Sequence, residues 1–540
     1  MKTNITIGLA AALLTLTAVS CTDLDVDVKS KYTEYPNSPK ALEAMEANVY
    51  YAFRGPLGRR YNEAQALSSD EEVGISFDGD YYDSGNYAHA TLHHFMPGDA
   101  CIGYLADLGT GITNCNTYLE AMGTNAADSV TAPVRAMRAF YHFIMMDSYG
   151  DAPILDKLPS GAVERKPRAE VAKWIESELL DVIPHLTTNV DATTYGKPTR
   201  YMAEALLAKL YINWAVYTAS DVTAYEPTDK NEKLNDCVKL CDDIIKSGQF
   251  SLGGGANGWR SKFYPDNGAQ IKDFIYAMPY QCLTETGMTY ARFRTWRKAD
   301  GGGEDGKTTY YGDPKSKSFG GNISLTPECS DLFTLKGDAR NAAILKDTIY
   351  QYDPSTKQPV KKWSYKGNVV VLQKNITLKT NDGTLNVGSD VNGFSQGYKS
   401  IKFWLTNDDY KNNRNQSNDV PIFRYADILL TKAEAITRGA TATNGDTPMS
   451  LFNQIRSYAG APLLTQNPSL KDILDERGRE FLNENWRRND MIRFGTFESE
   501  YGLHKQSVSG AVFDKTRRIF PIPTDILKLN TNWKQNNGYE

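Results

Sequence analysis

The sequence predicts a mainly α-helical protein, in which a tetratricopeptide-like scaffold of helical hairpins carries a large, irregular, loop-rich insertion with short strands. Two observations lead to this fold class. Apolar residues recur with a helical period in segments near both ends of the chain, and alanines in runs such as residues 202–211 suit close packing of paired helices. Between residues 249 and 415, by contrast, the chain is rich in Gly, Asn and Lys and shows only short strand-like runs.

The N-terminal helical part is predicted to begin at Ser38-Pro39, where a capping residue precedes a proline in the first turn. This first helix ends at Gly55-Pro56, and further helices are predicted at about 102–122, 133–149, 168–186, 198–218 and 231–247. Residues 68–99 are rich in Asp, Tyr and Gly and have no sustained period. They are predicted to form a long loop, which in a compact protein is usually either functional or disordered.

The insertion and the C-terminal part complete the predicted fold. Strands are predicted at 274–278, 369–372 and 401–405, and helices at 421–438, 448–460 and 469–488. Because the helical scaffold resumes after the insertion, we predict a single domain over residues 21–540, preceded by a signal peptide over 1–20. Its N-terminal helical part covers 21–248, the insertion 249–415 and the C-terminal helical part 416–540.

Charged residues in the last predicted helices recur three and four positions apart, which favours ion pairs along a helix, each worth roughly a few tenths of a kcal/mol. These residues are Glu476, Arg477, Arg479, Glu480, Glu484, Arg487, Arg488, Asp490 and Arg493. Glu480 and Glu484 resemble the carboxylate pair of a hydrolase. The nearby arginines are expected to lower their pKa, which is the wrong direction for a general acid, so we predict a structural role.

The N-terminal residues have the pattern of a secretory signal. Lys2 precedes an uncharged run over residues 5–19, which is shorter than the roughly 20 apolar residues that a membrane-spanning helix needs. Small residues then lead to Cys21, as at the lipid-attachment site of bacterial lipoproteins. We therefore predict that Cys21 becomes the lipidated N-terminus; the alternative is ordinary cleavage and plain secretion.

The composition argues against a nucleic-acid partner and predicts that the cysteines do not form disulfides. The formal net charge is −5 and no basic stripe is present, so nucleic-acid binding is not expected. Six widely spaced cysteines follow Cys21, at positions 101, 115, 237, 241, 282 and 329. In a chain of this length they are predicted to be buried free thiols.

Several short motifs match catalytic or metal-binding patterns but lack the structural context that those patterns need. Residues 301–308 match a phosphate-binding loop without the preceding strand or following helix, and residues 393–397 match a nucleophile elbow that is followed by a predicted strand. His89 and His93 lie in a predicted loop, and Asp78, Asp80 and Asp83 lack the bidentate Glu of an EF-hand. No catalytic residue, metal ligand or cofactor is therefore predicted.

Collinear segments from both helical parts resemble hallmark segments of the SusD/RagB family. They are Arg138-Ala139-Phe140-Tyr141 leading to Tyr149-Gly150-Asp151-Ala152-Pro153, Arg424-Tyr425-Ala426-Asp427 leading to Ala433-Glu434-Ala435, Asn453-Gln454-Ile455-Arg456, the block 476–495, Phe520-Pro521-Ile522-Pro523 and Asn537-Gly538-Tyr539. The resemblance implies a nutrient-binding lipoprotein that caps a SusC-like TonB-dependent transporter and passes it a glycan or, in the RagB branch, a peptide. Alternating Asp23, Asp25 and Asp27 are similar to signals that export Bacteroidetes lipoproteins to the outer face of the outer membrane.

The resemblance also implies where the ligand binds. In SusD relatives the ligand face is built from the long loop after the first helix and from the segment that follows the strand near residue 280. By region, this points to Asp78, Asp80, Tyr81, Tyr82, Tyr87, Tyr290, Arg292, Phe293 and Trp296. Aromatic faces stack on sugar rings while Asp and Arg bond to hydroxyls, so a glycan is the expected ligand. A peptide, or less readily catalysis by a surface glycoside hydrolase, is the alternative.

Overall fold

The N-terminal part consists mainly of helices, at the segments where apolar residues recur with a helical period. The computed structural model describes residues 38–78, 84–253, 258–289, 291–293, 295, 323–352, 356, 358–404 and 415–539. The N-terminal elements are α1 (Pro39–Tyr50), α2 (Arg54–Gly58), α3 (Arg60–Leu67), β1 (Glu72–Gly74), α4 (Asn86–Thr91), α5 (Leu105–Met122), α6 (Asp128–Tyr149), α7 (Arg168–Val182), α8 (Arg200–Ile212), α9 (Trp214–Thr218) and α10 (Leu234–Lys246). The predicted helices are present, with three differences in their bounds. The first helix ends at Tyr50, and Gly55-Pro56 lies inside α2; the helix predicted over 198–218 is divided into α8 and α9; and the helix predicted from residue 133 begins at Asp128. The predicted loop over 68–99 also contains β1 and α4.

Neighbouring helices pack in pairs, α5 against α6, α6 against α7 and α8 against α10. Small residues permit these close approaches. Gly111 on α5 lies against the ring of Tyr141 on α6, and a Cβ at Gly111 would be 2.8 Å from a carbon of that ring. Ala203, Ala205 and Ala208 of α8 are buried. The fold is therefore mainly α with tetratricopeptide-like hairpins, as predicted.

The insertion consists of short elements. They are β2 (Phe274–Met278), β3 (Ile323–Leu325), α11 (Pro327–Leu332), β4 (Ile344–Leu345), β5 (Asp347–Thr348), β6 (Tyr350–Tyr352), β7 (Pro359–Lys362), β8 (Ser364–Tyr365), β9 (Asn368–Val369), β10 (Val371–Leu372), α12 (Val391–Phe394) and β11 (Lys399–Ser400). Antiparallel pairs join β1 to β3, β4 to β11, β5 to β10, β6 to β7 and β8 to β9. The strand predicted at 274–278 is confirmed, and β9 and β10 occupy the run predicted at 369–372.

The strand predicted at 401–405 is wrong within its described residues. The strand β11 ends at Ser400, before the apolar run begins. Residues Ile401, Lys402, Phe403 and Trp404 are all buried, so the run does not alternate between a buried and an exposed face as a half-exposed strand would. In the sequence, a segment that is buried on all sides shows the same short apolar run as a strand, so the two could not be distinguished.

The C-terminal part consists of β12 (Val420–Arg424), α13 (Tyr425–Thr437), α14 (Pro448–Ala459), α15 (Leu470–Phe481), α16 (Arg487–Phe494) and α17 (Thr524–Leu529). The helix predicted from residue 421 begins only at Tyr425, because the preceding residues form β12 and pair antiparallel with β2. The helix predicted over 469–488 is two helices. Asn483 and Asn485, with φ of 61° and 71°, turn the chain between α15 and α16, and Asn tolerates this left-handed conformation.

Residues 43–540 form one compact unit, and residues 1–42 form a separate one, of which 38–42 are described. The six described cysteines are free and buried, which confirms the prediction for them. Within the part of the chain that the structure describes, no helix is both long and apolar enough to cross a membrane.

The charged residues of the last helices form a buried network. The predicted pairs along a helix are present between Glu476 and Arg479 at 2.8 Å and between Asp490 and Arg493 at 2.7 Å, but further pairs join different elements. Arg424 on β12 contacts Glu480 and Glu484, with nitrogen–oxygen distances of 2.8 and 2.7 Å, and Arg340 in the insertion contacts Glu476 at 2.7 Å. All five side chains are at most 3% exposed. These ion pairs join different elements, so they hold the insertion to the helices.

Candidate ligand face

The structure describes part of each segment that was predicted to bind ligand. Asp78 is exposed and has φ of +52°, a left-handed conformation that residues other than Gly rarely adopt. Asp80, Tyr81, Tyr82, Tyr290 and Trp296 lie outside the described residues. The structure therefore describes four of the predicted ligand residues, Asp78, Tyr87, Arg292 and Phe293.

Tyr87 and Phe293 are buried in the structure, contrary to the exposed positions expected for them. Both side chains are 0% exposed. The Tyr87 hydroxyl donates a hydrogen bond of 2.6 Å to Glu63 on α3. A ligand cannot reach either ring in this conformation.

Arg292 is buried too, and it ties the two predicted segments together. Its Nε donates to the carbonyl oxygen of Asn483 at 2.9 Å and its Nη1 to that of Leu57 at 3.0 Å. The Asn483 side chain in turn donates to the Glu72 carboxylate on β1 at 2.8 Å. The segments that contain Asp78 and Arg292 therefore meet through Asn483, although Arg292 does not point outwards.

An aromatic cluster packs beneath Asp78. The rings of Tyr365 and Phe394 stack with centroids 4.9 Å apart, and Phe77 meets both edge-on at 5.5 and 5.4 Å. The Tyr365 hydroxyl donates to the Asp78 carboxylate at 3.4 Å. Sequence reasoning missed these residues because Phe77, Tyr365 and Phe394 lie far apart in the chain and meet only in the folded protein.

A backbone ladder holds the Asp78 turn against the insertion. The Asp78 amide donates to the carbonyl of Gly388 at 3.0 Å, and the Val387 amide donates to Ser76 at 2.9 Å. On the other side, the Lys366 ammonium lies 5.0 Å from the centre of the Tyr365 ring. The face around Asp78 thus offers a carboxylate and an ammonium group, which suit the hydroxyls of a polar ligand, while Tyr365 is buried beneath them.

Two pairs of carboxylates, Glu480 with Glu484 and Glu71 with Glu72, have the residue types of a hydrolase site, but both pairs are buried. Burial alone would raise the pKa of Glu480, yet Arg424 and Arg340 hold it below its usual range, as predicted. Burial raises the pKa of Glu72 to about 7, although the hydrogen bond from Asn483 acts to lower it. Burial also raises the pKa of the neighbouring Glu71. The Glu71 and Glu72 side chains are 2% and 1% exposed, so a polysaccharide cannot approach either pair in this conformation.

His89 and His93, which lie four positions apart in the sequence, face different partners. His89 Nδ1 is 2.8 Å from Asp99, whereas the His93 ring stacks on Phe497 with centroids 4.6 Å apart. Among the residues that the structure describes, no three His, Cys, Asp or Glu side chains are grouped to hold a metal ion.

A cavity of about 730 Å³ lies elsewhere, between the end of α8, residues 225–235 and the end of α13. Arg438 and Arg493 contribute to its wall, and none of the four predicted ligand residues that the structure describes lines it. It does not coincide with the predicted face.

Comparison with known proteins points to one family. The model of the SusD family matches residues 288–539. The starch-binding protein SusD of Bacteroides thetaiotaomicron is 24% identical to this chain over 466 residues, which cover 80% of this chain and 77% of that protein.

Solved structures agree with the fold. The surface glycan-binding protein A of Bacteroides fluxus matches with a TM-score of 0.68 and 18% identity, covering 93% of this chain and 100% of its own. The surface glycan-binding protein A of Bacteroides thetaiotaomicron, in complex with laminarihexaose, matches with a TM-score of 0.65 and 18% identity, covering 92% of this chain and 99% of its own. These similarities establish the shared fold.

Proposed function

The chain is a member of the SusD/RagB family, and from this premise we propose that it is a non-catalytic surface lipoprotein that binds a glycan. The observation that carries the proposal is the similarity to the starch-binding protein SusD over 80% of this chain. The match to the surface glycan-binding protein A in complex with laminarihexaose supports it, because that protein shares the fold and binds an oligosaccharide.

We further propose that the ligand lies on the face around Asp78. Asp78 is exposed beside the Tyr365 hydroxyl, and the predicted residues Asp80, Tyr81 and Tyr82 follow it directly in the chain. Tyr290 and Trp296 flank Arg292, whose bonds to Leu57 and Asn483 fix the second segment close to β1. Aromatic stacking from these segments and hydrogen bonds from Asp78 suit the two kinds of surface that a sugar ring presents.

The proposal includes an anchor and a partner. Cys21 would carry the lipid that holds the protein at the outer membrane, facing the extracellular side, after removal of residues 1–20. A SusC-like TonB-dependent transporter would receive the glycan, for use in carbohydrate uptake and polysaccharide utilization. The absence of hydrolysis is part of the proposal, and the burial of Glu480 and Glu484 supports it.

Isothermal titration calorimetry with a panel of polysaccharides and peptides tests this function. The mature chain with Cys21→Ser provides unlipidated protein, and the variants Trp296→Ala and Asp78→Ala remove one stacking and one polar group. We expect binding to at least one glycan and about tenfold weaker affinity for Trp296→Ala, since an aromatic contact contributes roughly 1 kcal/mol or more.

The matched control is Leu529→Ala, which removes a side chain that is 80% exposed on the last helix and should leave affinity unchanged. Binding to peptides and to no glycan would replace the proposal by the peptide alternative. Release of reducing sugar from a bound polysaccharide would refute the non-catalytic role.

A further inference from the structure

A polar cleft beside the Asp78 turn suggests the chemistry of the ligand. The cleft has a volume of about 300 Å³ and is lined by Leu378, Lys379, Thr380, Asn381 and Gln506. This volume lies at the lower end of the range for small-molecule sites, roughly 300–1,000 Å³.

Hydrogen bonds fix the wall of the cleft and determine which groups remain for a ligand. The Gln506 side chain donates to the carbonyl of Ile376 at 2.6 Å and accepts from the amide of Leu378 at 3.2 Å. The Thr380 hydroxyl donates to Asp382 at 3.0 Å. The Asn381 amide and the Lys379 ammonium are both on exposed residues, so the cleft offers an amide and a cation above a half-buried Leu378.

The cleft is continuous with the face around Asp78. The Lys379 amide donates to the carbonyl of Asn386 at 2.7 Å, and Asp78 bonds to Gly388 two residues further on. The Lys379 side chain lies against Gly388, since a Cβ at Gly388 would be 3.1 Å from Lys379 Cε. Lys366 flanks the same turn through Tyr365. Two lysines therefore flank the Asp78 turn.

The surrounding segment is basic in an acidic protein. Residues 343–390 contain seven Lys and four Asp, with no Arg or Glu, whereas the whole chain has a formal net charge of −5. Lys361 and Lys362 lie on β7, where charged residues commonly protect a strand edge. That explanation does not apply to Lys366 and Lys379, because both lie outside the strands. Lys366 lies over the Tyr365 ring and interacts with Asp78, and Lys379 lies beside Gly388, near Asp390.

We propose that the cleft at Lys379, together with Lys366, binds an acidic sugar unit, so that the ligand of this protein is an anionic glycan carrying carboxylate or sulfate groups. This inference rests on the proposed glycan-binding function and narrows it. Lys379 and Lys366 neutralise the acidic groups, while the Asn381 amide bonds to hydroxyls and Leu378 contacts the apolar face of the ring.

Calorimetry with a matched pair of ligands tests the proposal. Polygalacturonate and its methyl ester share one backbone and differ in charge; chondroitin sulfate adds sulfate, and starch and laminarin are neutral. We expect polygalacturonate or chondroitin sulfate to bind more tightly than the methyl ester and the neutral glycans. The preference should weaken between 50 and 300 mM NaCl, because salt screens exposed charges.

The variants Lys366→Gln and Lys379→Gln should each weaken binding to the acidic glycan about threefold, and the double variant about tenfold, with loss of the preference over the methyl ester. Lys173→Gln, which removes the same charge from an exposed position on α7, is the control and should change nothing.

The outcomes separate the two proposals. Equal affinity for acidic and neutral glycans, or equal effects of Lys173→Gln and Lys379→Gln, would overturn the anionic ligand and leave glycan binding intact. Binding to none of the glycans would overturn both, and binding only to an acidic protein or peptide would assign the lysines to a protein interface. The response to carboxylate and to sulfate identifies which acidic group the cleft takes.

Discussion

Arg424 is the side chain on which the buried charge network depends, and its replacement by Met should destabilise the protein strongly. Its guanidinium donates to Glu484 at 2.7 and 2.9 Å, to Glu480 at 2.8 Å and to Asp273 at 2.6 Å. Without it, three buried carboxylates would lose one shared cation. Breaking a buried pair in this way typically costs about 3–5 kcal/mol of unfolding free energy.

Remaining cations place the expected loss at the lower end of that range. Lys262 stays 2.6 Å from Asp273, Lys402 stays 2.6 Å from Glu484 and Arg340 stays 3.1 Å from Glu480. We therefore expect Arg424→Met to lower the unfolding free energy by about 3 kcal/mol at pH 7, measured by urea unfolding.

The pH dependence follows from Glu480, whose pKa is held below its ordinary value of 4.5. Its ionised form contributes stability above pH 4.5, and this contribution is lost as the pH falls through the lowered pKa. The difference between Arg424→Met and the wild-type protein should therefore shrink below pH 4.5. Lys471→Met removes an ion pair whose lysine is 79% exposed and should change stability by less than about 0.5 kcal/mol. A loss for Arg424→Met as small as that control, at every pH, would refute the role given to the network.

Three further predictions concern the candidate face and the anchor. Burial raises the pKa of Glu72 to about 7, so the folded protein binds a proton more tightly than the unfolded chain, and its stability falls as the pH rises from 4.5 to 7. Glu72→Gln should therefore raise the unfolding free energy by about 3 kcal/mol at pH 8 and change it little below pH 4.5. An equal change in urea unfolding at both pH values would contradict this. Gly58→Ala would place a Cβ 2.3 Å from the Gly287 carbonyl oxygen. The variant should therefore lower the unfolding free energy, measured in urea, by about 1–3 kcal/mol, and weaken glycan affinity by shifting the segment that leads to Arg292. Unchanged stability would disprove the close contact. Cys21→Ser should abolish radioactive palmitate incorporation and move the exported protein to the soluble fraction, whereas continued labelling would place the lipid elsewhere.

The helical scaffold could be predicted because its signals are local. Ser469 and Thr447 cap their helices as such residues do, and the apolar period gives the buried faces. The start of α13 was misplaced because β12 exists only through its pairing with β2, more than a hundred residues earlier. The break between α15 and α16 had a local signal in Asn483 and Asn485, but Asn is also common within longer loops and was not decisive.

The exposure of the residues assigned to the proposed ligand face could be predicted only in part. An Asp-rich and Tyr-rich loop indicates a surface that contacts something polar, and Asp78 is indeed exposed. The same composition cannot distinguish Tyr87, whose hydroxyl bonds to a buried carboxylate, from an exposed tyrosine. Arg292 is anchored by carbonyl oxygens 235 and 191 positions away in the chain, and no local pattern encodes such contacts.

The buried ion pairs explain how an irregular insertion can present a defined face. Apolar contacts are not directional, so they would bind the insertion to the helices without fixing its orientation. Charge-assisted hydrogen bonds require particular distances and angles, and an error in orientation leaves a buried charge without a partner. Lys402 in the insertion reaches Glu484, and Arg340 reaches Glu476 and Glu480, so the insertion is attached at several points to one helix and the turn that follows it. The loops around Asp78 bond to that same insertion, and their arrangement therefore follows from the charges that the helices bury.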